Sequence, residues 1–299
     1  MGLPSAPTPA TYLRAALPAV PGLRSLPGIR RTRDTLPGRR VEARDVAIDA
    51  DHLERYRRLC GFGLRSELPL TYPHVLGFGL QMQLLTGADF PFPAVGLVHV
   101  ANRFQAARPL TTGERLDLSV AAVDLRLHPK GHQFSVVTQA SVAGELVWRG
   151  TSTYLRRGPG GRPSATGPGP RLEDPPAGPA LWRIPGDLGR RYAAVSGDRN
   201  PIHLTRLTAR AFGFGRPIAH GMWTAARCLA AVEGRLPRDP DVDIAFASPV
   251  LLPSTVRFGY RSTADGGELA LTGSHGERVH LVGTVRRGGL AGGQQHSRP

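Results

Sequence analysis

The sequence predicts an α+β protein built as two copies of one unit, and three observations carry that prediction. An apolar helix is followed by a run of strands; after a Pro/Gly-rich stretch, helices and then strands come again; and short segments of the two halves match in order and spacing.

Residues 1–40 are rich in Pro, Gly and Arg, with one short apolar helix expected near residues 12–19, and read as a loosely attached arm. The first unit is expected over residues 41–157. Asp49 is placed to cap a helix in which Leu53, Tyr56 and Leu59 share a face. Residues 73–85 are apolar almost all round and predict a buried central helix, where Gly77 and Gly79 could leave a channel for an acyl chain. Strands are expected at 95–104, 114–127, 133–142 and 146–156, rich in β-branched and aromatic residues. Residues 158–180 carry too much Pro and Gly for a core and read as a linker. The second unit is expected over 181–287: helices at 184–195 and 220–233, then strands at 242–246, 254–260, 268–273 and 279–286. Residues 288–299 read as a disordered tail.

The repeat shows in two places. Arg55-Tyr-Arg-Arg-Leu-Cys-Gly61 lies against Arg191-Tyr-Ala-Ala-Val-Ser-Gly197, and residues 108–118 lie against 248–258 with the proline and strand phase kept. After Gly61 the chain continues Phe62-Gly-Leu-Arg-Ser; after Gly197 it continues Asp198-Arg-Asn200-Pro-Ile-His203. Only the second copy has ionisable chemistry there.

Hydrophobic content of 40% and charged content of 20% are those of a folded chain rather than a disordered one. Cys60 and Cys228 are too few for a disulfide framework or a cysteine-based zinc site. No secretory leader and no apolar run of membrane-span length is seen, so a cytoplasmic protein is expected. The net charge of +15 is almost wholly arginine, Lys130 being the only lysine. Scattered basic residues and 6% aromatic content argue against nucleic acid, while an acidic partner such as a phosphopantetheine carrier or the phosphates of coenzyme A remains open.

Asp-x-Asn-Pro alone is an ordinary Asx/Pro turn, and His203 alone an ordinary buried histidine. A hydrolase triad through Ser196 lacks its elbow, and a calcium loop lacks its later ligands. With Ser196-Gly197 before and Ile218-Ala-His220-Gly221-Met222 after, the stretch resembles the signature of the MaoC-like (R)-specific enoyl-thioester hydratases and dehydratases, and the whole chain is similar to their two-domain actinobacterial form. That resemblance implies a double hot-dog fold, each long helix wrapped by an antiparallel sheet, with the halves paired as a pseudo-dimer. It implies Asp198 and His203 as a catalytic dyad, Asn200 as its orienter, and the Gly221 N–H as donor to a thioester carbonyl. Ser196, Gly197, Ile218, His220 and Met222 are taken as substrate-binding. Neither metal nor redox cofactor is implied; the partner is an acyl-CoA or acyl-carrier-protein thioester, with no membrane insertion and room for a homodimer. The rival readings are a hot-dog thioesterase and a non-catalytic acyl-thioester-binding module. The first-half candidates His74, His99, Asn102, His128 and His132 lack the dyad spacing and read as turn or sheet residues.

Overall fold

The computed structural model describes residues 35–161, 167–288 and 290; the helix expected near 12–19 and nearly all of the arm and tail lie outside them. The first unit runs β1 (Val41–Ala47), α1 (Ala50–Cys60), α2 (Tyr72–Leu76), α3 (Phe78–Leu85), β2 (Leu97–Ala106), β3 (Arg115–His128), β4 (Gly131–Val142) and β5 (Glu145–Arg157). The second runs β6 (Ala180–Ile184), α4 (Leu188–Ser196), α5 (Arg206–Ala211), α6 (Gly221–Ala231), β7 (Pro240–Phe246), β8 (Ser254–Thr263), β9 (Gly266–Gly273) and β10 (Val279–Arg287). No helix among the described residues is long and apolar enough to cross a membrane.

Three expectations change. Strands β1 and β6 were not anticipated; they are the two outer strands, half polar, and their sequences alternate only weakly. Residues from Ala180 are strand, and the helix expected from 184 starts at Leu188. Pro185 accounts for this, because the residue before a proline is driven out of the helical region. The central helix is two short ones, α2 and α3, meeting at Gly77. A Cβ on Gly77 would lie 2.7 Å from Thr138 Cγ2, so this glycine brings the helix onto β4 and leaves no channel there. Helix α3 buries Phe78, Leu80, Met82, Leu84 and Leu85, as an all-round apolar segment requires.

All strands form one antiparallel sheet in the order β1-β3-β4-β5-β2-β7-β10-β9-β8-β6. Read from either edge, the two units present the same order of equivalent strands. The sequence match that sets Arg108 against Ser248 also sets Arg103 against Asp243, and these two face each other at the middle of the β2–β7 seam. The seam therefore has the self-complementary register of a two-fold interface, made within one chain. Phe104, Val242 and Ile244 are fully buried along it, and Arg103 Nε donates to Asp241 Oδ1 at 2.8 Å.

The helices are tied across the seam as well. Tyr56 of α1 and Tyr192 of α4 are both buried, with ring centres 6.5 Å apart. Trp223 Nε1 donates to the Leu59 carbonyl at 3.1 Å. His52 Nε2 lies 2.7 Å from the Val195 carbonyl oxygen, which can only accept, so Nε2 carries the proton and Nδ1 accepts from the Tyr72 hydroxyl at 2.8 Å. Each unit thus holds the last turn of the other's first helix, and that turn leads into the Gly197-Asp198 stretch.

His52→Ala should lower stability by about 1–2 kcal/mol, since it strands a Val195 carbonyl and the Tyr72 hydroxyl. A shift in the denaturant midpoint at constant m-value checks this; an unchanged midpoint would mean that the bridge carries no net energy.

Candidate active site

Helix α4 ends at Gly197 in the left-handed region (φ 76°), with its N–H closing onto the Ala193 carbonyl. A side chain would be strained there. Ser196 Oγ donates to the Tyr192 carbonyl at 2.9 Å and accepts from the Asp198 N–H at 3.2 Å. Both residues expected to bind substrate therefore shape the turn that presents Asp198. Asp198 Oδ1 accepts from the Asn200 N–H at 3.0 Å, and Asn200 begins the 3-10 turn Pro201–His203, with Oδ1 3.5 Å from the Ile202 nitrogen. Asn200 thus meets the Asp198 carboxylate with its backbone N–H, while its side-chain oxygen faces the 3-10 turn.

His203 is buried, and its Nδ1 lies 2.8 Å from the Ile218 carbonyl oxygen. That oxygen accepts, so the proton is on Nδ1 and Nε2 keeps its lone pair. Burial holds the His203 pKa below its usual value, against a smaller upward pull from Asp198 and Ile218. At neutral pH the imidazole is a base. The Asp198 side chain is 27% exposed, the accessible member of the group.

His220 stacks on His203 with ring centres 3.7 Å apart and 25° between planes. Its Nε2 donates to the Asp198 carbonyl at 3.0 Å and stands 3.8 Å from Oδ2. Burial, and then the neighbouring His203, push its pKa far down, so it remains neutral. His220 thus braces the Asp198 loop. Asp198, His203 and His220 bring three ligand-type atoms within 4.8 Å of one another, a set that could hold a divalent cation. The two rings lie face to face, however, so their in-plane lone pairs run side by side instead of converging, and two of their nitrogens already serve carbonyls. Proton transfer suits this arrangement better than ligation.

Gly221 opens α6, where N–H groups have no acceptor within the helix. A Cβ there would meet the Phe246 ring at 3.3 Å, so glycine lets Phe246 sit over this terminus without the ring having to shift. Met222 is buried beside it. Ile218 contributes its backbone: the carbonyl to His203, and the N–H to the Ile202 carbonyl at 3.1 Å.

Sequence reasoning passed over Gly189 and read His99 as a turn or sheet residue, which it is, in β2. A Cβ on Gly189 would sit 1.8 Å from the His203 carbonyl oxygen, so glycine lets the 3-10 turn pack onto α4. The signal was a glycine inside a helical pattern, which costs helix propensity and calls for a reason. His99 packs on Phe246 (4.9 Å between ring centres) and Tyr154 (4.8 Å), which brings the first unit to the site through the ring over Gly221. His74 and Asn102 are buried in bonds to Gln81 and Ser152, while His128 accepts from the Lys130 N–H in a turn and His132 lies on Phe92.

The first unit keeps the frame of this site without its groups. Glu67 bridges Thr111 as Ile218 bridges Leu251, and the Leu68 N–H reaches the Leu110 carbonyl as the Ala219 N–H reaches Val250. Phe62 follows Gly61 where Asp198 follows Gly197, and the α5 segment is missing; a cavity of about 250 Å³ lined by Phe62, Leu68, Leu70 and Trp148 remains.

The "MaoC like domain" family model matches residues 183–267. Over 269 residues, 88% of this chain and 94% of the relative, the sequence is 39% identical to the 3-hydroxyacyl-thioester dehydratase X of Mycobacterium tuberculosis. The crystal structure of HtdX of the same organism is similar at a TM-score of 0.74 with 36% identity, covering 84% of this chain and all (100%) of that one. A further M. tuberculosis structure, described as a double hot-dog fold, covers 84% of this chain and 96% of its own at a TM-score of 0.52; at 16% identity it shares the fold alone.

Gly189→Ala should cost about 1–3 kcal/mol and move His203 away from Ile218, read as a changed imidazole titration by NMR. An unaltered His203 titration would show that the close packing is dispensable. Burial also lowers the pKa of His74 to about 3 and of His99 to about 4. The unfolded chain binds these protons near pH 6.5 and the folded chain does not, so stability is full above that pH and falls as pH drops through it. The melting temperature at pH 5.5 should lie below that at pH 7.5; equal values would contradict the burial of neutral imidazoles.

Proposed function

The chain belongs to the MaoC-like dehydratase family, and from that premise we propose that it interconverts (R)-3-hydroxyacyl thioesters and trans-2-enoyl thioesters, with Asp198 and His203 as the catalytic pair. The observation that carries this reading is the Nδ1-protonated His203, a neutral imidazole grouped with the partly exposed Asp198 carboxylate, with ring nitrogen and carboxylate oxygen within 4.8 Å.

Hydration adds one water: its oxygen bonds to C3, one of its protons is taken up, and C2 receives a proton. A carboxylate and a neutral imidazole that hold one water between them can take the first proton and return the second. Dehydration runs the same steps backwards, the hydroxyl leaving C3 as water while C2 loses its proton. Charge that gathers on the thioester oxygen needs a donor already in place. The Gly221 N–H is fitted to that role by its helix-terminal position and by the absence of a Cβ. His220 and Asn200 are positioning residues, holding the Asp198 loop by its carbonyl and its Asx turn. His99, Tyr154 and Phe246 form the facing wall, which the acyl group would meet.

The site draws on both units, because His52 steadies the α4 terminus and His99 backs Phe246, so a second copy of the chain is not required to complete it. A cytoplasmic setting is in keeping with Cys60 and Cys228, both buried free thiols. CoA and a carrier protein both present the same thioester arm to this site.

Asp198→Asn and His203→Gln should each lower hydration of crotonyl-CoA by about 10² or more while the melting temperature stays close to wild type. Turnover near wild type in either variant would remove the pair from the mechanism. Because burial keeps His203 neutral below its usual range, the acid limb of kcat/KM should fall with an apparent pKa under 6.5. His203→Gln should abolish that limb.

A further inference from the structure

We propose that the arginine face of α5 is the docking surface for an acidic acyl carrier protein that delivers the thioester to Asp198 and His203. The inference rests on the thioester reading above and identifies the carrier.

Between Asp198 and Glu233 the chain has no aspartate or glutamate, but it has Arg199, Arg206, Arg210, Arg216 and Arg227. The segment that leaves the site after His203 and returns at Ile218 carries Arg206, Arg210 and Arg216, all exposed. Arg206 and Arg210 form no ion pair among the described residues, as is also true of the exposed Arg55 and Arg191; what distinguishes the α5 pair is the side chain between them. Between the two arginines Leu207 is 81% exposed, more than Leu64, Val123, Leu127 or Leu181. On a helix, positions i, i+1 and i+4 fall within about 100° of arc, so Arg206, Leu207 and Arg210 present one face.

This face is fixed relative to the site. Thr205 and Thr208 form a reciprocal cap, and Thr208 Oγ1 donates to the Pro201 carbonyl at 2.6 Å, between Asp198 and His203 in the chain. Ala209, on the inner side of α5, is fully buried. The first unit, which lacks the ionisable pair, also lacks this segment and runs directly from Gly61 to Glu67. Its short closure has one arginine, Arg65, and that one lies 3.7 Å from Glu233, so the unpartnered arginine pair occurs only beside the ionisable pair.

The phosphates of CoA could pair with the two arginines, but they would leave Leu207 in water. An acidic amphipathic helix of a carrier protein meets all three side chains: carboxylates against Arg206 and Arg210, and an apolar residue against Leu207. Such docking should weaken as salt shortens the reach of the charges, about 8 Å at physiological ionic strength.

The test compares one acyl group on three carriers: crotonyl-pantetheine, crotonyl-CoA and a crotonylated bacterial acyl carrier protein of acidic composition. In the double variant Arg206→Glu/Arg210→Glu, kcat/KM for the carrier-protein substrate should fall at least about tenfold, through KM, and lose its salt dependence. The other two substrates should stay within about twofold. Leu207→Ala, a change of low folding risk, should lower only the carrier-protein value, by about threefold or more. Loss on crotonyl-CoA to the same degree would reassign the arginines to CoA phosphates and overturn the proposal, as would no loss at all or a loss shared by crotonyl-pantetheine. Failure of the wild-type protein on crotonyl-pantetheine is a different result, which would sink the dehydratase reading itself.

Discussion

The hydrogen bond from His203 Nδ1 to the Ile218 carbonyl is the contact on which the rest of the site depends. It sets the tautomer, so that the free lone pair is on Nε2, and it closes the segment that departs after His203 and returns before α6. The Ile218 N–H answers with a bond to the Ile202 carbonyl, and Ala219 is pinned to Val250. One end of the chain's reactive stretch is thereby locked to the start of the next helix, where Gly221 and Phe246 lie. Removing that lock would free the imidazole, the α5 face and the helix terminus together.

The cost of such a site is burial of neutral imidazoles. His203 and His220 are stacked with almost no solvent access, and His74 and His99 lie in the opposite unit, where the charge of Asp198 still reaches them. Neutral rings are the form that an apolar interior tolerates. The same desolvation that keeps His203 unprotonated makes the fold sensitive to acid, so the state of the site and acid stability share one physical cause.

Duplication explains how one chain can hold this arrangement. The seam between β2 and β7 pairs equivalent residues, Arg103 with Asp243, as two subunits would across a two-fold axis. One copy retains the ionisable turn and its overhanging segment; the other has Phe62 and a short closure in their place. The first unit also supports the second: His52 holds the end of α4, and His99 packs on the Phe246 ring that lies over Gly221.

Much of this was legible in the chain. Two runs of strands after apolar helices, the repeat around Gly61 and Gly197, and the Asp198 to His203 spacing all arise from contacts close in sequence, which leave periodicity and turn residues as their mark. Edge strands β1 and β6 were missed because one partner strand and a half-solvated surface impose little pattern, and Gly77 was misread because only its nearness to Thr138 shows what the missing Cβ allows. Sequence by itself determined that the stretch after Gly197 carries a carboxylate and an imidazole five residues apart and that the matching stretch after Gly61 carries no such pair. Tertiary structure decided which nitrogen of His203 is free, that Gly189 must be bare, and that His52 and His99 serve the second unit's site, because each of these depends on the distance between atoms far apart along the chain, and that distance is set by packing rather than by spacing.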